Sequence, residues 1–208
     1  MGVSAHQERR GRVAGLQAAR RKADRRRARL IGAAAVAVAA ALVVPTVVVV
    51  VNAERESRAA QAAAEAPIDG VREFADLDAT HTTDDVAYQQ APPVGGEHHP
   101  VWQDCGFYDA PVVEEHAVHS LEHGAVWLTY DPDLKASDVD TLRALADQHS
   151  YLLVSPFDGV DGVVASAWGV QLELDGPDDD RLEPFLLKYL QGPQTPEPGA
   201  ACSGGVGA

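Results

Sequence analysis

The chain has 208 residues with 17 Lys/Arg against 31 Asp/Glu, a formal net charge of −14. That length allows one ordinary domain with tails and hardly two. Residues 1–30 hold ten of the basic side chains against Glu8 and Asp24, a net of +8, which leaves 7 basic and 29 acidic side chains, −22, for the rest. The acidic remainder argues against a main domain that binds nucleic acid, since a phosphate backbone needs clustered Lys/Arg.

The basic stretch 1–29 reads as a tail beside a membrane. Residues 30–51 carry no charge. As a helix they would span ~33 Å, enough to cross a hydrocarbon core of ~30 Å. Arginines precede the run, so the positive-inside rule places the N-terminus in the cytoplasm and the chain from 52 outside it, as a single-pass cell-membrane protein. The rival is a signal peptide cleaved near Val51-Asn52-Ala53. Apolar cores of signal peptides are shorter, ~7–15 residues, which favours a retained transmembrane helix. Residues 52–67 are rich in Ala, Glu and Arg and read as a stalk ended by Pro67. An extracytoplasmic domain over 68–203 follows.

Residues 68–110 show little periodicity, and Pro92-Pro93-Val94-Gly95-Gly96 marks an irregular loop. Residues 112–123 predict a short helix, acidic at its start, with Gly124 as a left-handed cap. The apolar run 125–130 predicts a strand closed by Asp131-Pro132. Ser137 or Asp138 would cap a helix through His149, with Val139, Leu142, Leu145 and Ala146 on one face. Residues 151–154 predict a second strand, and 163–174 one long strand bent at Gly169. Asp179 or Asp180 would cap a last helix with Leu182, Phe185, Leu186 and Tyr189 inward. The order predicts an α+β domain, a small mixed or antiparallel sheet backed by helices on one side.

The two cysteines, Cys105 and Cys202, both fall on the predicted outer side, where a disulfide persists. Neither belongs to a Cys-x-x-Cys pair, which argues against a redox-active motif.

Five histidines lie within 26 residues: His98, His99, His116, His119 and His123. On a helix, His116, His119 and His123 share one face. Imidazole is the commonest metal-binding side chain, and two at i, i+4 grip one borderline ion such as Zn²⁺ or Cu²⁺. His98 and His99 offer further ligands from the Gly/Pro loop, and His81 is more remote. The alternative is that the histidines are structural, favoured by the helix dipole or held by hydrogen bonds, or that they sense pH. His119-Ser120-Leu121-Glu122-His123 also fits the H-x-x-E-H pattern of inverzincin metalloproteases, which would make Glu122 the general base of a metal-dependent hydrolase. Trp102, Tyr108, Trp127 and Trp168 read as core more readily than as a pocket. Asp178-Asp179-Asp180 reads as a solvated helix start rather than a calcium loop, whose other ligand positions are missing. The sole methionine is Met1, which argues against a methionine-rich copper(I) carrier.

Trp102-Gln103-Asp104-Cys105-Gly106-Phe107-Tyr108, His119-Ser120-Leu121-Glu122-His123-Gly124, Ala167-Trp168-Gly169 and Pro196-Glu197 with Cys202 together resemble a bacterial family, domain of unknown function 3105. The resemblance covers roughly 68–203 and implies a membrane-anchored protein with one N-terminal span and no established activity. Cys105 and Cys202 match the family's cysteine pair. His98 matches the histidine after its Pro-Pro loop, and His119, Glu122 and His123 match its central motif. The chain departs at Gly95-Gly96-Glu97, where Ser-Gly-Pro is usual, and His99 and His116 fall outside the pattern. The expected metal ligands are therefore His98, His119 and His123, for Zn or Cu(II), in a module that handles metal or assists assembly with an envelope protein partner.

Overall fold

The computed structural model describes residues 66–207, together with Arg21, Arg25, Arg27, Val47 and residues 49–55. The chain divides into two compact units, Met1–Ala60 and Gln61–Ala208. Most of the predicted span 30–51 lies outside the described residues. Among those that are described, no helix is long and apolar enough to cross a membrane.

The second unit is built on one mixed sheet. Its strands are β1 (Arg72–Glu73), β2 (Gly106–Phe107), β3 (Val126–Tyr130), β4 (Leu152–Pro156), β5 (Val163–Ala167) and β6 (Val170–Leu174), in spatial order β1-β6-β5-β3-β4-β2. The helices of this unit are α1 (Glu114–Glu122), α2 (Ala136–Gln148) and α3 (Leu182–Tyr189). β3, α2 and β4 form a parallel crossover, and β2 joins β4 in parallel. β5, β6 and β1 pair antiparallel on the other side. The α+β class with a mixed sheet is therefore present.

β3 is Val-Trp-Leu-Thr-Tyr, all strand formers, and all five residues are buried. Its alternate side chains serve different layers. Val126, Leu128 and Tyr130 pack with Leu142, Ala146, Phe185 and Tyr189 under α2 and α3, whereas Trp127 packs with Ala117, Val118 and Leu121 of α1. Helices therefore cover both faces, not one as expected. Two-sided cover explains why the strand has no polar face. Full burial of a side chain such as Phe185 or Leu128 contributes about 1.5–3 kcal/mol.

The stretch 163–174 corrects the expectation of one bent strand. Val163 pairs with Leu174 and Ala167 with Val170, so Trp168 and Gly169 form a two-residue turn, with Gly169 at φ 70°. An apolar run continuous across a tight turn imitates a single strand. The expected caps also differ. α2 begins after Lys135 and α3 after Arg181, neither with a side-chain cap. Asp179 instead holds the Arg181 guanidinium, at 2.6 Å, and its carboxyl is drawn down to about pKa 2 by that hydrogen bond. The apolar faces of both helices are as predicted, with Leu142, Ala146, Leu182, Phe185, Leu186 and Tyr189 buried.

Candidate metal centre

Three segments meet at the C-terminal half of α1: the loop 80–99, α1 itself and the tail after α3. α1 has Glu114 and Glu115 in its first turn, which suits the helix dipole, and His119 in its last. Its end is a Schellman motif: the Gly124 N–H donates to Leu121 O at 3.0 Å and the Ala125 N–H to Ser120 O at 2.9 Å. Gly124 sits at φ 96°, and a Cβ there would lie 2.9 Å from Thr195 Oγ1 and 3.1 Å from Gln191 Cα. The same glycine thus ends the helix and admits the tail.

His98 and His81 are linked through the loop backbone: Thr82 N–H donates to His98 O at 2.8 Å and His98 N–H to Thr80 O at 3.1 Å. The tail is fixed by the Cys105–Cys202 disulfide, with Cα atoms 5.4 Å apart, and by Glu197 N–H donating to Glu122 O at 3.1 Å. The disulfide expected between the two cysteines is therefore formed.

Each of the three expected ligands commits one ring nitrogen to a carbonyl. His98 Nδ1 lies 2.7 Å from Gly96 O, His119 Nδ1 2.7 Å from His99 O, and His123 Nδ1 2.6 Å from Ala201 O. A carbonyl only accepts, so each Nδ1 carries the proton. In a neutral imidazole that leaves a lone pair on Nε2. Those lone pairs face other acceptors. His98 Nε2 is 3.0 Å from Glu122 Oε2, and His119 Nε2 is 2.9 Å from His123 Nε2. Acceptor against acceptor at this distance is repulsive unless a proton or a metal cation stands between. Backbone carbonyls that orient imidazoles in this way are the usual partners of metal-ligating histidines.

His81, His98, His119 and Glu122 bring one donor atom each within 4.8 Å of one another. Two ligands of a tetrahedral ion bound at ~2.0–2.1 Å are about 3.3 Å apart. Glu122 Oε2 lies 3.0, 3.6 and 4.0 Å from His98, His81 and His119 Nε2, close to that spacing. Three histidines and one carboxylate form a donor set that suits a borderline divalent cation.

His123 stands next to this group through His119 and faces Glu197, at 3.6 Å. His116 turns to the same loop as His119 but does not join the cluster. Its Nδ1 donates to Val101 O and its ring lies 4.2 Å from that of His99. Across i to i+7 a helix rises about 10.5 Å, too far for His116 and His123 to share an ion. His81 was expected to be remote, because nothing in a sequence joins it to His98; the loop pairing does. Glu197 had no site signal beyond its place in the Pro196-Glu197 pair.

Burial pushes His119 down to about pKa 4, opposed by the His99 carbonyl and reinforced by the charges of His123, His98 and His81. A neutral ring is the ligating form. Trp168 meets His98 edge-on at 5.8 Å, and Trp102 covers His123 at 5.0 Å. Trp127 lies in the core, as expected, its Nε1–H donating to Ser155 Oγ at 3.0 Å. A cavity of about 630 Å³ lies between α2 and α3, lined by residues including Leu145, His149, Leu182 and Leu186, and none of the clustered donors reaches it.

The model of a family described as Protein of unknown function (DUF3105) matches residues 80–204, a stretch that includes every donor from His81 to Glu197. No curated protein and no solved structure matches the chain.

Proposed function

The chain belongs to the DUF3105 family, and we propose that its second unit is a non-enzymatic metal-binding module that handles a divalent ion, Zn²⁺ or Cu²⁺, outside the cytoplasm. The observation that carries this reading is the facing of acceptor lone pairs: His98 Nε2 against Glu122 Oε2, and His119 Nε2 against His123 Nε2. One cation relieves repulsion that a purely structural network would have to relieve with protons. His98, His119 and Glu122 are the principal ligands, His81 the exposed fourth, and His123 an adjacent donor. Glu122 is 4% exposed and faces His98 directly. That position favours a ligand over the general base of a hydrolase, where the glutamate stands back from the ion and polarises water.

The same proposal places the module at the cell membrane. The charge-free run 30–51 behind a basic tail supports a single-pass anchor with the N-terminus cytoplasmic, and the Cys105–Cys202 disulfide suits an oxidising compartment. A protein of the envelope is the expected partner in metal handling or complex assembly.

The test is metal content. The full chain, purified in detergent and dialysed against zinc, should retain about one equivalent by mass spectrometry, and His119→Ala should retain none. Equal zinc in the wild type and the His119→Ala/His98→Ala double variant would refute the reading. Alkaline carbonate extraction of membranes checks the anchor, which should leave the chain in the pellet.

A further inference from the structure

The donor atoms continue beyond the inner four. From His81 Nε2 the path runs 3.6 Å to Glu122 Oε2, which is 3.0 Å from His98 and 4.0 Å from His119. It then passes 2.9 Å to His123 Nε2 and 3.6 Å to Glu197 Oε2. Every step is 4.0 Å or shorter. The side chains of the four middle residues are at most 5% exposed, whereas those of His81 and Glu197 are 43% and 53% exposed at the two ends. A network that only filled a core would have no need of solvent-facing donors at both ends.

Resting on the metal-binding reading above, we infer that the ion has two alternative positions: an inner one held by His81, His98, His119 and Glu122, and an outer one held by His119, His123 and Glu197, through which it enters and leaves. His119 belongs to both. Its Nδ1–H is fixed on His99 O, so it has a single lone pair, on Nε2, and serves one ion at a time. The two positions are therefore exclusive, and the ion passes between them by ligand exchange. His81, His98 and Glu122 let go as His123 and Glu197 take hold, with no change in charge or redox state. Glu197 is suited to this role. Its backbone N–H is anchored on Glu122 O at 3.1 Å, and its half-exposed carboxylate is able to swing toward His119. A two-step path with donors at each stage releases an ion faster than a single enclosed cage, because no step leaves the ion short of several ligands at once.

The experiment is chelator challenge of the full chain in detergent, loaded with one equivalent of Zn²⁺ and mixed by stopped flow with an excess of a chromogenic chelator. Glu197→Gln should slow release at least tenfold, and His81→Ala, which weakens the inner position, should speed it. Glu183→Gln, on α3 and outside the path, is the control and should match the wild type. A Glu197→Gln protein that holds one zinc and releases it at the wild-type rate overturns the outer position. So does one that holds no zinc, since Glu197 would then be a primary ligand. A wild-type chain that holds no zinc takes down the metal-binding reading itself, a different result.

Discussion

Replacing Glu122 with Gln keeps the shape of the side chain and removes its charge. The consequence has opposite signs with and without metal. A direct carboxylate donor is worth more than the groups that merely orient ligands, whose loss costs 10–100-fold in affinity, so Glu122→Gln should weaken binding by at least about 100-fold. At zinc held about 100 times above the wild-type dissociation constant, binding stabilises the wild type by about 2.7 kcal/mol, while the variant, now near its own dissociation constant, gains about 0.4 kcal/mol. For a domain of this size each kcal/mol moves the melting temperature by about 2–4 °C, so zinc should raise the wild type by about 5–10 °C and the variant by about 1 °C. Under chelator the order changes. The amide introduced by Glu122→Gln donates to the His98 Nε2 lone pair that the carboxylate faces at 3.0 Å, so the metal-free variant should melt no lower than the metal-free wild type. Differential scanning calorimetry at pH 8, with zinc and with chelator, reads both terms. If Glu122 and His98 were instead a buried ion pair, breaking it would cost about 3–5 kcal/mol. A large fall in the chelated Glu122→Gln protein would thus refute the lone-pair argument.

Three other perturbations test the surroundings of the site. Cys105→Ser/Cys202→Ser opens a loop of sequence separation 97, which the loop-entropy model equates with about 4–5 kcal/mol; the urea midpoint should fall accordingly, and an unchanged midpoint would argue against it. Gly124→Ala forces a side chain into φ 96° and against Thr195 and Gln191, so it should cost upwards of about 1–2 kcal/mol in a denaturant titration. His119 titrates near 4 in the fold against an ordinary 6.5. The unfolded chain therefore binds the proton first. Metal-free stability should be level above pH 6.5 and fall between 6.5 and about 4, by on the order of 3 kcal/mol. Urea midpoints at pH 7 and 5 check this, and His119→Gln should show a shallower fall.

The parts of this fold that are legible in the sequence are those specified by neighbours in the chain. Acidic first turn, spaced apolar residues and Gly124 mark α1; an unbroken run of strand formers marks β3; the inward faces of α2 and α3 follow from their 3.6-residue period. His98, His119 and His123 are each visible as candidates. What escapes is set by pairing across distance. β1 and β2 are two residues each and gain their identity only from β6 and β4. The β5–β6 hairpin is hidden because Ala167 to Val170 runs through the turn with no polar residue to interrupt it. His81 joins the cluster only because its loop returns beside His98. His116 stays outside it because its ring nitrogen is taken by Val101 O and its ring packs on His99, contacts that only the folded loop supplies.

The Cys105–Cys202 staple also sets an order of events in the life of the molecule. His81, His98, His119 and Glu122 precede β3 in the chain, but Glu197 and the Ala201 carbonyl that aims His123 come from its last stretch. During synthesis the inner donors and His123 emerge first and Glu197 last. Without the disulfide the tail is held by hydrogen bonds alone, such as Glu197 N–H to Glu122 O and Tyr151 O–H to Ala200 O. A nascent or reduced chain would then hold the frame that aims His123 and Glu197 less firmly than one whose cysteines are joined.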